Sequence, residues 1–389
     1  MADRATENAA RKPLKILVLN YEYPPIGGGG GTVCKNLAEE CAARGHEVRV
    51  QTSWIKGLDK REEHPRISVY RSFSFRRKAD TCTVPQMFLF LITNFWPALW
   101  HAWSWKPHVI HVHFAVPTGV LAWLVGLLSR TPYVLTVHLG DVPGALPEQT
   151  DHMFRILKPF TRPIWKGAAS VVAVSEFVRK LSESAYGVPV TKIFNGIQPP
   201  MDSTTVEKAS PFQILSVGRF NAQKNLFFML EILSRIKHRN WKYLLVGDGP
   251  LREQLENRVT DLELEDHVFF TGWISQDRVN QMMKESHLLL MPSLAEGLPM
   301  VGISALFAGL PIFGSKIDGL TDLINPGTNG FLIPLDSPEQ WTQQIERALT
   351  SPHELKPMGK KSLAIADDFD IKKVAKDYEN LFYSNSKNR

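Results

Sequence analysis

The chain has 389 residues, 44% apolar and 22% charged, which is ordinary for a soluble globular protein and too long for one hydrophobic core, so two domains are expected. Its net charge of +6 is uneven: residues 1–200 hold 24 Lys/Arg against 15 Asp/Glu, and residues 201–389 hold 21 against 24. A basic first half points to an anionic partner there, and of the choices nucleic acid is set aside, because no zinc-finger spacing, RNA-binding aromatic motif or basic heptad helix is present.

Three cysteines, Cys34, Cys41 and Cys82, are odd in number in a long chain, which argues against a disulfide framework and suggests a reducing compartment. The start, MADRATENAARK, lacks the apolar core of a signal peptide, so a cytoplasmic protein is expected.

LKILVLN (14–20) predicts a buried strand. The loop YEYPPIGGGGG follows, then TVCKNLAEECAARGH (32–46), in which Val33, Leu37 and Cys41 keep helical spacing and Gly45 supplies a stop. EVRVQT (47–52) reads as a second strand. This rhythm implies a parallel sheet, continued by HVIHVHF (108–114), YVLTVHL (133–139) and SVVAVS (170–175).

Residues 81–105 interrupt the rhythm. They carry no Asp, Glu, Lys or Arg over a length that could span a bilayer, but Pro85, Asn94, Pro97 and His101 break the run. A core or cleft helix is the first reading and a membrane-surface contact the second; a true span fits least. Arg71, Arg76, Arg77 and Lys78 cluster just before this stretch, and charge beside Trp and Phe suits a lipid interface.

MDSTTVEKAS (201–210) reads as a polar linker. Beyond it QILSVGR (213–219), KYLLVGD (242–248), HVFFTGW (267–273) and HLLLMPS (287–293) are strands with amphipathic helices between. FDIKKVAKDYENLFY (369–383) is an amphipathic helix. The fold class is therefore α/β, with two doubly wound domains and a cleft between them. Ligands of such sheets bind beyond the carboxyl ends of the strands, so the residues that end strands carry the information.

The glycines Gly27 to Gly31 would let a phosphate or sugar approach the backbone at a helix start. They are not a dinucleotide fingerprint. Thr32 and Val33 stand where its third glycine belongs, and the second strand ends in Gln51-Thr52 with no acid for a ribose. A merely flexible loop is the alternative. Arg219 ends a strand and Lys224 begins a helix; two such cations could neutralise a diphosphate without a metal, or form a surface salt bridge. His111 and His113 alternate on a strand, as a metal pair would, but no third ligand stands out. The D-x-D at Asp368–Asp370 suits helix capping better than a metal. His138 ends YVLTVHL. In SLAEGLPMVGISALFAGLP (293–311), Pro299 suits a first helical turn whose free N–H groups can hold phosphate, while Glu296 can accept hydrogen bonds from hydroxyls. Phosphate and polyol recognition side by side describes a nucleotide sugar.

These segments, with PPIGGGGGTVCKNLAEECAARGHEVRV, TVHLGD, FNGI, SVGRFNAQKNL, LLVGDGP and GTNGFLIP, make the chain resemble the retaining glycosyltransferases of family 4, of GT-B fold, over nearly its whole length. The resemblance implies two Rossmann-like domains facing across a cleft: an acceptor-side domain over 13–200 and a nucleotide-sugar domain over 209–366, with helix 369–385 packing back on the first. It implies that Gly28 and Gly29 lie near the donor phosphates and the acceptor. His138 then lies near the donor sugar's 6-hydroxyl, and Arg219 and Lys224 hold the diphosphate. Glu296 is the first glutamate of the E-x7-E motif, on the sugar hydroxyls. The backbone of Leu298, Pro299, Met300 and Val301 is the helix start at the phosphates, and Trp273 marks the strip against the base.

Three departures stand out. Ser304 occupies the second glutamate, which in the family grips the ribose hydroxyls. Asp318 replaces the first glycine of G-G-x-x-E and Asp322 its acid. Gln198 replaces the acid after Asn-Gly-Ile. A serine cannot make a charged bidentate contact, and losing such hydrogen bonds costs on the order of 1.5–3 kcal/mol.

The implied activity is retaining, metal-independent transfer of a hexose from a nucleoside diphosphate sugar, first of all a UDP-sugar, to a glycan, lipid-linked or small-molecule alcohol, with no cofactor and a possible peripheral membrane contact. Ser304 leaves a non-catalytic sugar-nucleotide-binding subunit as an alternative, and a GT-B-fold epimerase or phosphorylase as another.

Overall fold

The computed structural model describes residues 11–79, 81–144, 158–200 and 207–386. The N-terminal residues 1–10 and linker residues 201–206 lie outside the described residues. The chain divides into two units. One takes the chain up to Val174, Val178–Gly196 and the chain from Ile371; the other takes Ser175–Phe177 and Ile197–Asp370.

The first unit is built on an eight-stranded sheet. Its strands are β1 (Lys15–Leu19), β2 (Glu47–Trp54), β3 (Arg61–His64), β4 (Ile67–Phe73), β5 (Val109–His113), β6 (Tyr133–Val137), β7 (Ser170–Ala173) and β8 (Val190–Lys192), in the order β3-β4-β2-β1-β5-β6-β7-β8. All pairings are parallel except β3 with β4. The central strands are buried on both faces, which is why apolar residues fill them almost throughout, with His111, His113 and Thr136 among the exceptions.

The helix Gly29–Ala43 presents Cys34, Leu37, Ala38 and Cys41 to this core. The helix Ile371–Asn385 presents Ile371, Val374, Ala375, Tyr378 and Phe382 to the same core. Burying each such large side chain contributes about 1.5–3 kcal/mol, so the last helix belongs to the first unit although it follows the second in sequence.

The uncharged stretch forms the helix Val84–Ser104, opened by a capping box between Thr83 and Gln86 and carrying Pro97 inside. Phe90, Asn94, Ala98 and His101 are buried, and Asn94 Oδ1 accepts a 2.7 Å hydrogen bond from Gln51 Nε2. No helix among the described residues is long and apolar enough to cross a membrane.

The basic cluster before this helix needs correction. Arg71 and Arg76 are buried. Arg71 donates to Glu62 Oε1 (3.1 Å) and the Pro24 carbonyl (2.9 Å), and Arg76 donates to the Tyr21 carbonyl (3.2 Å). Only Arg77 and Lys78 of the four are exposed.

The second unit carries β9 (Phe212–Val217), β10 (Trp241–Val246), β11 (Val268–Gly272), β12 (Leu288–Met291), β13 (Ile312–Ser315) and β14 (Gly330–Ile333) in one parallel sheet of order β11-β10-β9-β12-β13-β14. Counted from β9, this is the 3-2-1-4-5-6 order of a nucleotide-binding Rossmann sheet, whose order reverses between its first and fourth strands. That switch point lies between β9 and β12. The corresponding reversal in the first unit lies between β1 and β5.

Candidate active site

Each switch point gathers residues that the sequence singled out, Trp273 after the edge strand β11 excepted, and each half is built within its own unit. In the second unit β9 runs into Gly218 and Arg219. Gly218 (φ 147°) and Gly247 (φ 128°) end neighbouring strands in conformations that favour glycine, and a Cβ on Gly247 would lie 2.0 Å from the Gly218 carbonyl oxygen. This crossing turns Arg219 out of the sheet at its carboxyl end. A pocket opens there, lined by Gly218, Arg219, Lys224, Met291, Pro292 and Ser293 among others.

Lys224 closes the short turn Ala222–Lys224, which Asn221 caps by accepting the Lys224 N–H at 3.2 Å. The turn is clamped to the loop after β12. The Gln223 carbonyl accepts from Leu294 N–H (2.8 Å) and Gln223 Nε2 donates to the Ala295 carbonyl (2.7 Å). The clamp delivers Lys224 Nζ to Glu296 Oε1 at 2.7 Å, with the glutamate side chain 7% exposed and the lysine 22%. Beneath Glu296 the turn Asp318–Leu320 packs so closely that a Cβ on Gly319 would lie 1.7 Å from the Glu296 carbonyl oxygen. Asp318, in place of the family's first glycine, is exposed and needs no such clearance.

The helix that follows is Met300–Phe307. Pro299 is its N-cap residue, one position before the first turn expected from the sequence, and no side chain caps the start. An uncapped start leaves backbone N–H groups directed outward, which suits an anion. Leu298 is buried, Met300 and Val301 begin the helix, and Ser304 is half-buried in its second turn. Trp273 follows β11 and is 64% exposed.

In the first unit the helix Gly29–Ala43 also starts without a side-chain cap, and Gly28 precedes it. A Cβ on Gly28 would meet nothing within 4 Å. Packing therefore does not require glycine there; the open space in front of it does invite close approach of a ligand. Glu22 Oε2 accepts the Gly28 N–H at 3.1 Å.

His138 ends β6. Its N–H donates to Asp141 Oδ2 (2.8 Å), while Asp141 Oδ1 accepts from Ala115 N–H (2.7 Å), so one carboxyl ties the ends of β5 and β6 together. The His138 ring lies 3.3 Å from His113 Nδ1 and packs on Phe114, centroids 4.6 Å apart. Burial pushes His138 down to about 4, His111 down to about 3, and Asp141 up to about 7 against its N–H donors. At neutral pH the imidazoles are uncharged.

His111 and His113 do share one side of β5, with rings 4.5 Å apart, but His111 spends Nε2 on Thr136 Oγ1 and His113 turns to His138. No group of three metal-ligating side chains exists among the described residues.

Three residues of this site were not read from the sequence: Glu22, Asp141 and Phe114. Phe114 holds φ at 71°, rare for a bulky residue, and a Cβ on Gly30 would meet its ring at 2.4 Å. The signal that could have found it is its place at the end of HVIHVHF.

Two family descriptions match side by side. "Glycosyltransferase Family 4" covers residues 27–199 and "Glycosyl transferases group 1" covers residues 201–363. The N-acetyl-alpha-D-glucosaminyl L-malate synthase of Bacillus anthracis is 25% identical over 381 residues, 93% of this chain and 95% of that protein. Among solved structures, sucrose-phosphate synthase from Thermosynechococcus elongatus superposes with a TM-score of 0.79 at 20% identity, covering 95% of this chain and 98% of the other. The Anabaena protein HepE, solved in complex with UDP-glucose, superposes with a TM-score of 0.74 at 19% identity over 95% of this chain and all of the other.

Proposed function

Because the chain belongs to the family 4 glycosyltransferases of GT-B fold, we propose that it transfers a hexose from a nucleoside diphosphate sugar to a hydroxyl acceptor, with retention and without a metal. The observation that carries this reading is the meeting of Arg219, Lys224, Glu296 and an uncapped helix start around the switch point of β9 and β12.

Arg219, Lys224 and the amides from Leu298 to Val301 neutralise the diphosphate as it departs, and such preorganised charge stabilisation commonly contributes more to catalysis than any other single effect. Glu296 accepts hydrogen bonds from the sugar hydroxyls. Its contact with Lys224 then holds both groups in the resting site; with donor bound, lysine turns to phosphate and glutamate to sugar. His138 serves the sugar's 6-hydroxyl, uncharged, and Gly28 and Gly29 leave room for the phosphates and the acceptor. Trp273 offers its face to the base. The leaving phosphate takes the acceptor proton.

The second unit takes the nucleotide sugar and the first unit the acceptor. HepE holds UDP-glucose, which favours a UDP-sugar as donor. The acceptor is a glycan, a lipid-linked saccharide or a small molecule, met on the cytoplasmic side with peripheral membrane contact. Titration calorimetry with UDP tests the donor half. Arg219→Ala should weaken binding by about tenfold, as loss of one charge-assisted hydrogen bond does. Unchanged affinity overturns the assignment.

A further inference from the structure

The helix Val84–Ser104 is a core helix on one side only. Phe88, Ile92, Trp96, Trp100 and Trp103 are exposed, Trp96 to 68% and Trp100 to 67%. At 3.6 residues per turn these five fall within an arc of about 120°, opposite Phe90, Asn94, Ala98 and His101. Scattered surface hydrophobics need no explanation, but a row of five large ones along a single helix does.

The ridge is extended at its start. Gln86 Nε2 donates to the Phe75 carbonyl at 2.9 Å, tying the preceding loop to the first turn, and Phe73 and Phe75 are themselves exposed with rings 4.3 Å apart. Charge flanking it is mainly basic, with Asp80 as the acid that precedes the helix. From Thr81 to Gly140 the sequence contains no Asp or Glu. Exposed Arg77 and Lys78 precede the helix and exposed Lys106 follows it.

We infer that this ridge is the surface by which the protein lies on an anionic lipid interface, the helix in the plane of the membrane. The inference deepens the peripheral contact proposed above and rests on that reading. Trp and Phe are suited to the headgroup level, and cations at both ends meet anionic headgroups. A second copy fits less well. Two-fold pairing of the ridges, parallel or antiparallel, sets Arg77 and Lys78 against cations of the other copy, with Asp80 as the one acid in sequence between Arg77 and Gly140 to answer them.

The test uses the full chain and vesicles of phosphatidylglycerol and phosphatidylcholine, read by co-sedimentation, which needs no turnover and so separates this inference from the proposed activity. The wild type should bind, more weakly as salt is raised and more weakly still to phosphatidylcholine alone. Trp96→Ser with Trp100→Ser should lower partitioning by about tenfold or more, since each indole removes a large apolar area from water. The changes are on the solvent side, and an unaltered urea-unfolding midpoint shows that the fold is intact. Arg77→Glu with Lys78→Glu should reduce binding to anionic vesicles and spare binding to neutral ones. Absence of vesicle binding, or binding indifferent to the tryptophans, overturns the inference. So does a dimer in sedimentation velocity that the tryptophan variant dissolves, which would give the ridge to a second copy.

Discussion

Lys224 and Glu296 are each other's partner at 2.7 Å, and the two ends are unequally buried. Removing one partner of a buried pair leaves a charge stranded, which costs about 3–5 kcal/mol when burial is complete. Glu296 is nearly enclosed, so Lys224→Met should cost roughly 2–4 kcal/mol. Lys224 retains access to water and its long stem can carry the ammonium outward, so Glu296→Gln should cost only about 1–2 kcal/mol. The double variant removes both charges, and its loss should fall short of the sum by about 1 kcal/mol or more. Urea unfolding of the four proteins supplies the cycle. Free UDP binding supplies a second reading: Glu296→Gln releases Lys224 and should bind UDP at least as tightly as wild type, whereas Lys224→Met should bind it weakly. Additive losses, or a costlier Glu296→Gln, refute the pairing as the resting state of the site.

Ser304→Glu restores a carboxylate in the second turn of Met300–Phe307 and should tighten UDP binding by several-fold to about a hundredfold, the range of one to two charge-assisted hydrogen bonds; weaker binding in calorimetry means the ribose is held another way. Acid should destabilise the fold. His111 at about 3 and His138 at about 4, with His113 also held well below the ordinary range, stay neutral in the folded chain while the unfolded chain protonates below about pH 6.5. Stability from these groups is therefore lost as pH falls from about 6.5 towards 4, at about 2 kcal/mol each by pH 5. Asp141, raised to about 7, acts in the opposite sense, because the folded chain keeps a proton that the unfolded chain sheds. These four groups give a net loss on the order of 3 kcal/mol between pH 7 and pH 5, and His101 and His287, both also lowered to about 4, add to it in the same sense. The loss should appear as an earlier urea midpoint; an unmoved midpoint contradicts the buried-histidine account.

The long elements were legible because they are periodic or continuously apolar. The buried runs of β1, β5, β6, β9 and β10 and the stripe of the last helix announce themselves. The hairpin β3–β4 and the short strands β8, β13 and β14 did not: the polar β3 offers no apolar pattern, Arg71 and two serines interrupt β4, β8 has three residues, and β13 and β14 have four each, one of them glycine. Motif spacing located Arg219, Lys224 and Glu296, but not the contact that joins the last two. Arg71 and Arg76 misled for the same reason. Their partners Glu62 and the carbonyls of Tyr21 and Pro24 are brought up by the fold, and a run of cations in sequence says nothing of which ones turn inward. The helix Val84–Ser104 divided between two readings because it has two faces, one in the core and one on the surface.

The central claim is transfer from a nucleotide sugar by charge alone. Incubation with α-linked nucleoside diphosphate sugars in EDTA, followed by nucleotide release and by NMR of the anomeric proton of the product or of the released sugar, addresses it most directly. The account predicts nucleoside diphosphate released at an undiminished rate in chelator and an α-configured sugar. Release that depends on added magnesium or manganese, a β-configured product, or no release from any donor would contradict it.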